Sequence, residues 1–167
     1  AEVEACDLIC VPGGPGVEAA SLDAAFLAEV RRLAAGARYI TSVCNGSLIL
    51  GAAGLLRGKR AACHWAWRDL LPTFGAIPVA ERVVRDGNVV TGGGVTAGID
   101  FALTVMADIA GERIAKAIQL SVEYAPAPPF DAGTPERAGA EIAELIVART
   151  TARKDSFVRA HTSAAAE

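Results

Sequence analysis

Tyr39-Ile40-Thr41-Ser42-Val43-Cys44-Asn45-Gly46-Ser47 passes from a β-branched and aromatic run, through two polar residues and a glycine, into a long apolar stretch. The first five residues read as a short strand. Gly46 to Ala53 reads as a helix that is apolar almost all round, so it should be buried. A strand that ends in a polar residue, a flexible glycine and a helix describes a nucleophile elbow. In such a turn the reactive side chain is exposed at the carboxyl end of a central strand. Cys44 occupies that point. A thiol there faces the positive end of the following helix, which favours the reactive thiolate.

On the amino-terminal side, Cys6 to Val11 is another short apolar run. It stops at Pro12-Gly13-Gly14-Pro15-Gly16, a strong breaker. Parallel strands bring their carboxyl ends to one rim, so this glycine turn and Cys44 should meet. Glycines let a backbone amide approach a substrate closely. The amides of Gly14 and Asn45 could then form an anion-stabilising pair above Cys44. Ser21 can cap the helix that follows, whose apolar positions run from Leu22 to Leu33, with Gly36 closing it.

On the carboxyl-terminal side, Gly54 to Lys59 reads as a turn and Ala61 to Cys63 as a short strand. His64 to Leu71 reads as a brief helix ended by Pro72. Asp86-Gly87-Asn88 between two Val-rich pieces (81–91) predicts a hairpin. Gly92-Gly93-Gly94 leads into a second buried helix, Ala97 to Ala110, followed by a helix from Glu112 to about Tyr124. Pro126, Pro128 and Pro129 interrupt regular structure, Pro135 to Lys154 reads as a last amphipathic helix, and Ser163 to Glu167 should fray. Short apolar strands alternating with helices predict an α/β fold with a largely parallel sheet covered on both faces. No internal repeat or linker divides the chain, so residues 1–167 read as a single domain.

The composition agrees. Of 167 residues 52% are apolar and 21% charged, which suits a globule rather than a disordered tail. A net charge of -3 gives no reason to expect a nucleic-acid partner. No apolar run reaches the roughly 18–20 residues needed to cross a bilayer. The acidic opening Ala1-Glu2-Val3-Glu4 is unlike a signal peptide. The four cysteines, Cys6, Cys10, Cys44 and Cys63, show no disulfide framework, which makes a reducing cytoplasm the expected location. Two of them lie in apolar strand-like runs, where a free cysteine behaves as a small buried hydrophobe.

Taken together, the elbow and the Pro-Gly-Gly turn resemble the ThiJ/PfpI superfamily, whose members carry a cysteine on such an elbow in a flavodoxin-like sandwich of the class I glutamine-amidotransferase type. Within it the chain is most similar to the isocyanide hydratases. The matching stretches are VPGGPGV (11–17), ARYITSVCNGSLILGAAGLLRGKRA (37–61), HWAW (64–67), FGAIPVAERVVRDGNVVTGGGVTAGIDFALT (74–104) and QLSVEYAPAPPFDAGTPERA (119–138). The resemblance implies Cys44 as nucleophile, the amides of Gly14 and Asn45 as oxyanion donors, and hydration of an isonitrile to an N-formamide. It implies no metal or organic cofactor, a small-molecule isonitrile substrate, no membrane partner, and a homodimer when complete. It also implies two departures. Asn45 stands where these hydratases have Thr. The family's general acid, an Asp, comes from an opening strand-and-helix unit without counterpart here, so the chain is expected to lack its N-terminal portion.

The remaining candidates have plainer roles beside the functional ones. In much of the superfamily a histidine near His64 lies close to the cysteine, where it could tune the thiol; a rim histidine is the alternative. Trp65 and Trp67 are expected to pack the short helix, and Asp100 to cap or complement its own helix. Glu18 is the nearest carboxylate that could replace the missing acid. Cys44, Cys63 and His64 match no zinc spacing. Two further readings stay open at this point. One is a ligand-sensing domain of an AraC-type regulator, which would need a helix-turn-helix domain. The other is a redox-responsive protein in which Cys44 is oxidised without turnover.

Overall fold

The two apolar runs that bracket the Pro-Gly-Gly turn become neighbouring parallel strands. In the computed structural model, which describes residues 3–164, these are β1 (Leu8–Val11) and β2 (Tyr39–Val43). Between them lie α1 (Val17–Leu22) and α2 (Ala24–Gly36), and α3 (Gly46–Ala52) leaves β2 after Cys44 and Asn45. Then come β3 (Arg60–Ala61), a 3₁₀ helix (Arg68–Phe74), β4 (Ile77–Pro78), the hairpin β5 (Val83–Asp86) and β6 (Val89–Gly92), and α4 (Ala97–Ala110). The main sheet has the order β1-β2-β6-β5. β1, β2 and β6 are parallel, and β5 is antiparallel to β6. This is the expected α/β architecture with a mostly parallel sheet. By internal packing the chain divides into two compact units, residues 1–102 and 103–167.

In the first unit β2 is one of the two inner strands, and Tyr39, Ile40, Thr41 and Ser42 are all buried. Leu48, Ile49 and Leu50 of α3 are buried too, as its apolar sequence predicts. Each residue type named here removes apolar surface from water, worth roughly 1.5–3 kcal/mol for a large aliphatic side chain. The hairpin closes over the two-residue loop Gly87-Asn88, with Gly87 at φ 65° and Asp86 opposite Val89. Asp86 also ties the hairpin to the small β3–β4 sheet. Its carboxylate accepts from the Arg60 amide (2.9 Å) and from Lys59 Nζ (3.4 Å), and these bonds hold it below the ordinary carboxylate range.

Several local expectations are corrected. Ser21 does not cap the second helix; it lies inside α1, its hydroxyl donating to Glu18 O (2.8 Å). The cap is Asp23, whose Oδ1 accepts from the amides of Ala25 (2.9 Å) and Phe26 (3.0 Å). The brief helix after His64 is a 3₁₀ segment that contains Pro72 instead of ending at it, and left-handed Gly75 (φ 73°) stops it. A missing N–H costs least in a short helix with few repeating bonds. Strand β3 is Arg60–Ala61, displaced from 61–63, and pairs with β4 in a parallel ladder the sequence did not reveal. Cys10 is exposed, not buried, because β1 forms one edge of the described sheet. Helix α4 buries only a stripe, Ala97, Phe101 and Val105, while Ile99 and Ile109 are exposed.

In the second unit the last helix is broken at Gly139 (φ 82°) into α6 (Pro135–Ala138) and α7 (Ala140–Ala164). It follows α5 (Glu112–Ser121) and the irregular proline-rich stretch. Thr134 caps α6 and Pro135 begins it. Ser163 and Ala164 continue α7 instead of fraying, and residues 165–167 lie outside the described residues. Phe157 is buried, stacked on His161 with ring centroids 4.1 Å apart. Among the described residues no helix is long and apolar enough to cross a membrane.

Two adjacent hydroxyls on β2 have opposite status. Thr41 Oγ1 donates to Ile9 O (2.8 Å), whereas buried Ser42 Oγ has no hydrogen-bond partner among the described residues. Thr41→Val should therefore cost about 1 kcal/mol. Ser42→Ala should be neutral or stabilising by up to about 1 kcal/mol, since it removes a desolvated, unpaired group. Urea unfolding of the two variants checks the contrast, and a larger loss in Ser42→Ala than in Thr41→Val would contradict it.

Candidate active site

Cys44 has φ 61°, a left-handed conformation that costs a non-glycine residue on the order of 1–3 kcal/mol and persists only where the surroundings enforce it. The enforcement comes from β6 and its glycine loop. The Cys44 amide donates to Gly93 O (2.7 Å) and Gly92 O (3.1 Å). Below the elbow, a Cβ on Gly46 would overlap Val11 O and lie 2.8 Å from the Pro12 backbone. Beside it, a Cβ on Gly13 would lie 2.7 Å from Cys44 Cβ and 2.9 Å from the Asn45 amide, and would overlap Asn45 Oδ1. Only glycine fits at either position. The Pro-Gly-Gly turn and the elbow therefore touch, as parallel strands ending on one rim require.

Gly14 and Asn45 do come together, though not as two free amides. The Gly14 N–H donates to Asn45 Oδ1 (2.9 Å), and Asn45 Nδ2 donates back to Gly14 O (3.3 Å). The Asn45 backbone amide is directed at the Cys44 sulfur. Sequence gives little sign of this side-chain pairing beyond the residue type: an asparagine carries both a donor and an acceptor, enough to match the N–H and C=O of one residue.

The half-buried Cys44 thiol titrates above the ordinary value, because burial raises it more than the Asn45 amide lowers it. The expectation of a helix-stabilised thiolate is corrected accordingly: α3 is a seven-residue helix, and desolvation outweighs the bond at its start. Behind the elbow, Cys63 is fully enclosed and pushed up to about 12, chiefly by burial, with a hydrogen bond from Ser47 opposing. His64 is half-buried, and burial lowers its pKa. Its Nδ1 accepts from the Ala66 amide (3.2 Å), which leaves the proton of the neutral ring on Nε2.

No hydrogen bond joins His64 to Cys44 among the described residues. Both address the same loop, Cys44 through Gly93 O and His64 by packing its ring against Gly94. Trp67 is buried beside the 3₁₀ helix, and Trp65 stacks on His64 with centroids 5.9 Å apart. Asp100, expected as a helix partner, pairs across to Arg82. Arg82 O in turn accepts from the Gly93 amide (2.8 Å), so this ion pair borders the loop that holds Cys44. Glu18 is half-buried on α1. Among the described residues no three His, Cys, Asp or Glu side chains are grouped to hold a metal ion.

Known proteins resemble this chain in sequence and in fold. Residues 1–108 match the DJ-1/PfpI family. The chain belongs to that family. An isonitrile hydratase from Pseudomonas putida is 61% identical over 138 residues, 83% of this chain and 60% of that protein. The crystal structure of a ThiJ/PfpI family protein from Pseudomonas syringae superposes with a TM-score of 0.91 at 45% identity, covering 95% of this chain and 66% of that one. A DJ-1 superfamily protein from Salmonella typhimurium, crystallised as a cysteine-to-alanine mutant, gives a TM-score of 0.60 at 34% identity and covers 72% of this chain and 65% of that one. This DJ-1/PfpI chain thus spans about two thirds or less of the length of each.

Two pH dependences follow. Peptide-resolved alkylation with iodoacetamide should show Cys44 still gaining rate at pH 9, with Cys63 unlabelled; a Cys44 rate that levels off below pH 8 would contradict the burial argument. For stability, the folded Cys63 pKa lies above its ordinary value of 9.0. Its contribution is therefore complete below pH 9 and declines as pH rises towards 12, by about 1.4 kcal/mol per pH unit. Cys63→Ala should flatten the alkaline limb of stability against pH.

Proposed function

We propose that this chain carries the cysteine elbow of an isonitrile hydratase, an enzyme of the hydro-lyase type that converts R–NC to an N-formamide with Cys44 as nucleophile. The observation that carries the reading is the 61% identity to the Pseudomonas putida isonitrile hydratase across 83% of the chain, beside a Cys44 held in a left-handed conformation between β2 and α3. The isonitrile's terminal carbon accepts the Cys44 sulfur and gains a proton. The S–C bond and the C–H bond form on one carbon, giving the thioimidate R–N=CH–S. Water then adds to that carbon, the nitrogen takes up a proton, and the C–S bond breaks. The products are R–NH–CHO and the free thiol, so the atoms of one water are all accounted for.

A thiol that keeps its proton at neutral pH suits this first step, because sulfur and proton end on the same atom. The Asn45 amide steadies the sulfur as it forms and breaks its bond to carbon. His64, neutral through burial, lines the same glycine loop with its Nε2–H as a donor. A raised thiol pKa fits this chemistry better than redox sensing, which depends on an accessible, low-pKa cysteine. The working unit in this proposal is a homodimer in the cytoplasm, with residues 1–167 part of one ThiJ/PfpI-type domain.

The test follows formamide formation from an aromatic isonitrile by the protein that carries this chain. Cys44→Ala should reduce kcat/KM by at least about 1,000-fold, and Cys44→Ser nearly as much. His64→Gln should cost less than about 100-fold, the low end of what a positioned proton donor contributes. Turnover surviving in Cys44→Ala would remove the nucleophile assignment.

A further inference from the structure

We propose that the Asn45 side chain determines specificity by capping the Gly14 amide, which closes the site to substrates whose reaction puts negative charge on oxygen while leaving it open to isonitriles. The inference rests on the hydratase reading and deepens it. Esters and thioesters are the excluded class, since a thiolate adding to their carbonyl makes an oxyanion that needs preorganised donors.

The donors near Cys44 are few. The Gly13-Gly14 segment presses on the elbow so closely that no side chain fits at Gly13, where a Cβ would lie 2.7 Å from Cys44 Cβ, so Gly14 carries the next backbone amide along the turn that adjoins Cys44. That amide is engaged by Asn45 Oδ1 at 2.9 Å, and Asn45 Nδ2 holds the other backbone group of the same residue through Gly14 O at 3.3 Å. Asn45 is only 4% exposed, so water competes little for either bond, and a hydrogen bond sheltered in this way is stronger than one at the surface. The Asn45 amide itself is directed at the sulfur.

Isonitrile hydration does not need the missing donor. Negative charge develops first on carbon, where a proton quenches it. When water adds to the protonated thioimidate, the electron pair moves to nitrogen, and oxygen ends neutral. Ester cleavage differs at this point. The S–C bond forms, the carbonyl electrons move onto oxygen, and they return as the C–O bond breaks and the alkoxide or phenoxide leaves with its electron pair. Loss of one oxyanion donor costs such a reaction about 100- to 1,000-fold.

The test compares acylation of Cys44 by p-nitrophenyl acetate with its alkylation by iodoacetamide, at one pH, by intact mass and peptide mapping. Alkylation makes no oxyanion, so the ratio of the two rates isolates the donor from the thiol's ionisation. In the unmodified protein this ratio should stay within about tenfold of that of N-acetylcysteine; a larger ratio would overturn the cap. In Asn45→Ala the ratio should rise at least about tenfold, and a smaller rise would also overturn it. Asn45→Asp keeps the acceptor for the Gly14 amide and should keep the low ratio; a rise there equal to that of Asn45→Ala would contradict the role of Oδ1. If Asn45→Ala does not fold, the ratio in the unmodified protein decides alone. Formamide formation is measured in parallel on the unmodified protein. Its absence would count against the hydratase reading, whereas the acylation ratio reports on the cap either way.

Discussion

The hydrogen bonds from the Cys44 amide to the carbonyls of Gly92 and Gly93 fix the point on which the site depends. They hold the cysteine in a left-handed conformation and join the end of β2 to the loop that leaves β6. Gly93 donates to Arg82 O, and Arg82 pairs with Asp100 at the start of α4. A strained residue is thus held by a loop that is itself held on its far side. Strain of this kind persists only when several independent contacts require it.

Much of this was legible in the sequence because it follows from chain geometry. A β-branched run, a polar residue, a glycine and an apolar helix can be joined in few ways, and the strand Tyr39–Val43 and helix Ala97–Ala110 appear with the bounds expected. The glycines at 13, 46 and 92–94 mark places where backbone meets backbone or side chain. What could not be read were properties set by the environment. The thiol's acidity depends on how deeply Cys44 is buried, a sum over neighbours that no local pattern reports. The exposure of Cys10 depends on β1 lying at one edge of the described sheet.

Asn45 shows the boundary between the two kinds of information. As a backbone position it was predictable, since any residue after the elbow offers an amide to the sulfur. As a side chain it matches both backbone polar groups of Gly14, and only three-dimensional placement reveals that match. The residue type at such a position sets the hydrogen-bonding of a neighbouring loop without itself being the nucleophile. Relatives with one architecture can differ in chemistry by this route.

The pairing of β2 with β6 also bears on the order in which the site is assembled. The β5–β6 hairpin closes through two residues, whereas β6 meets β2 only after the chain between Val43 and Gly92 has been gathered in. Closing the longer loop carries the greater entropic cost, so non-local parallel pairing is slow compared with hairpin formation. On this ordering the acceptors for the Cys44 amide come with the docking of the hairpin, and the left-handed conformation that sets Cys44 apart from the other cysteines depends on that long-range closure.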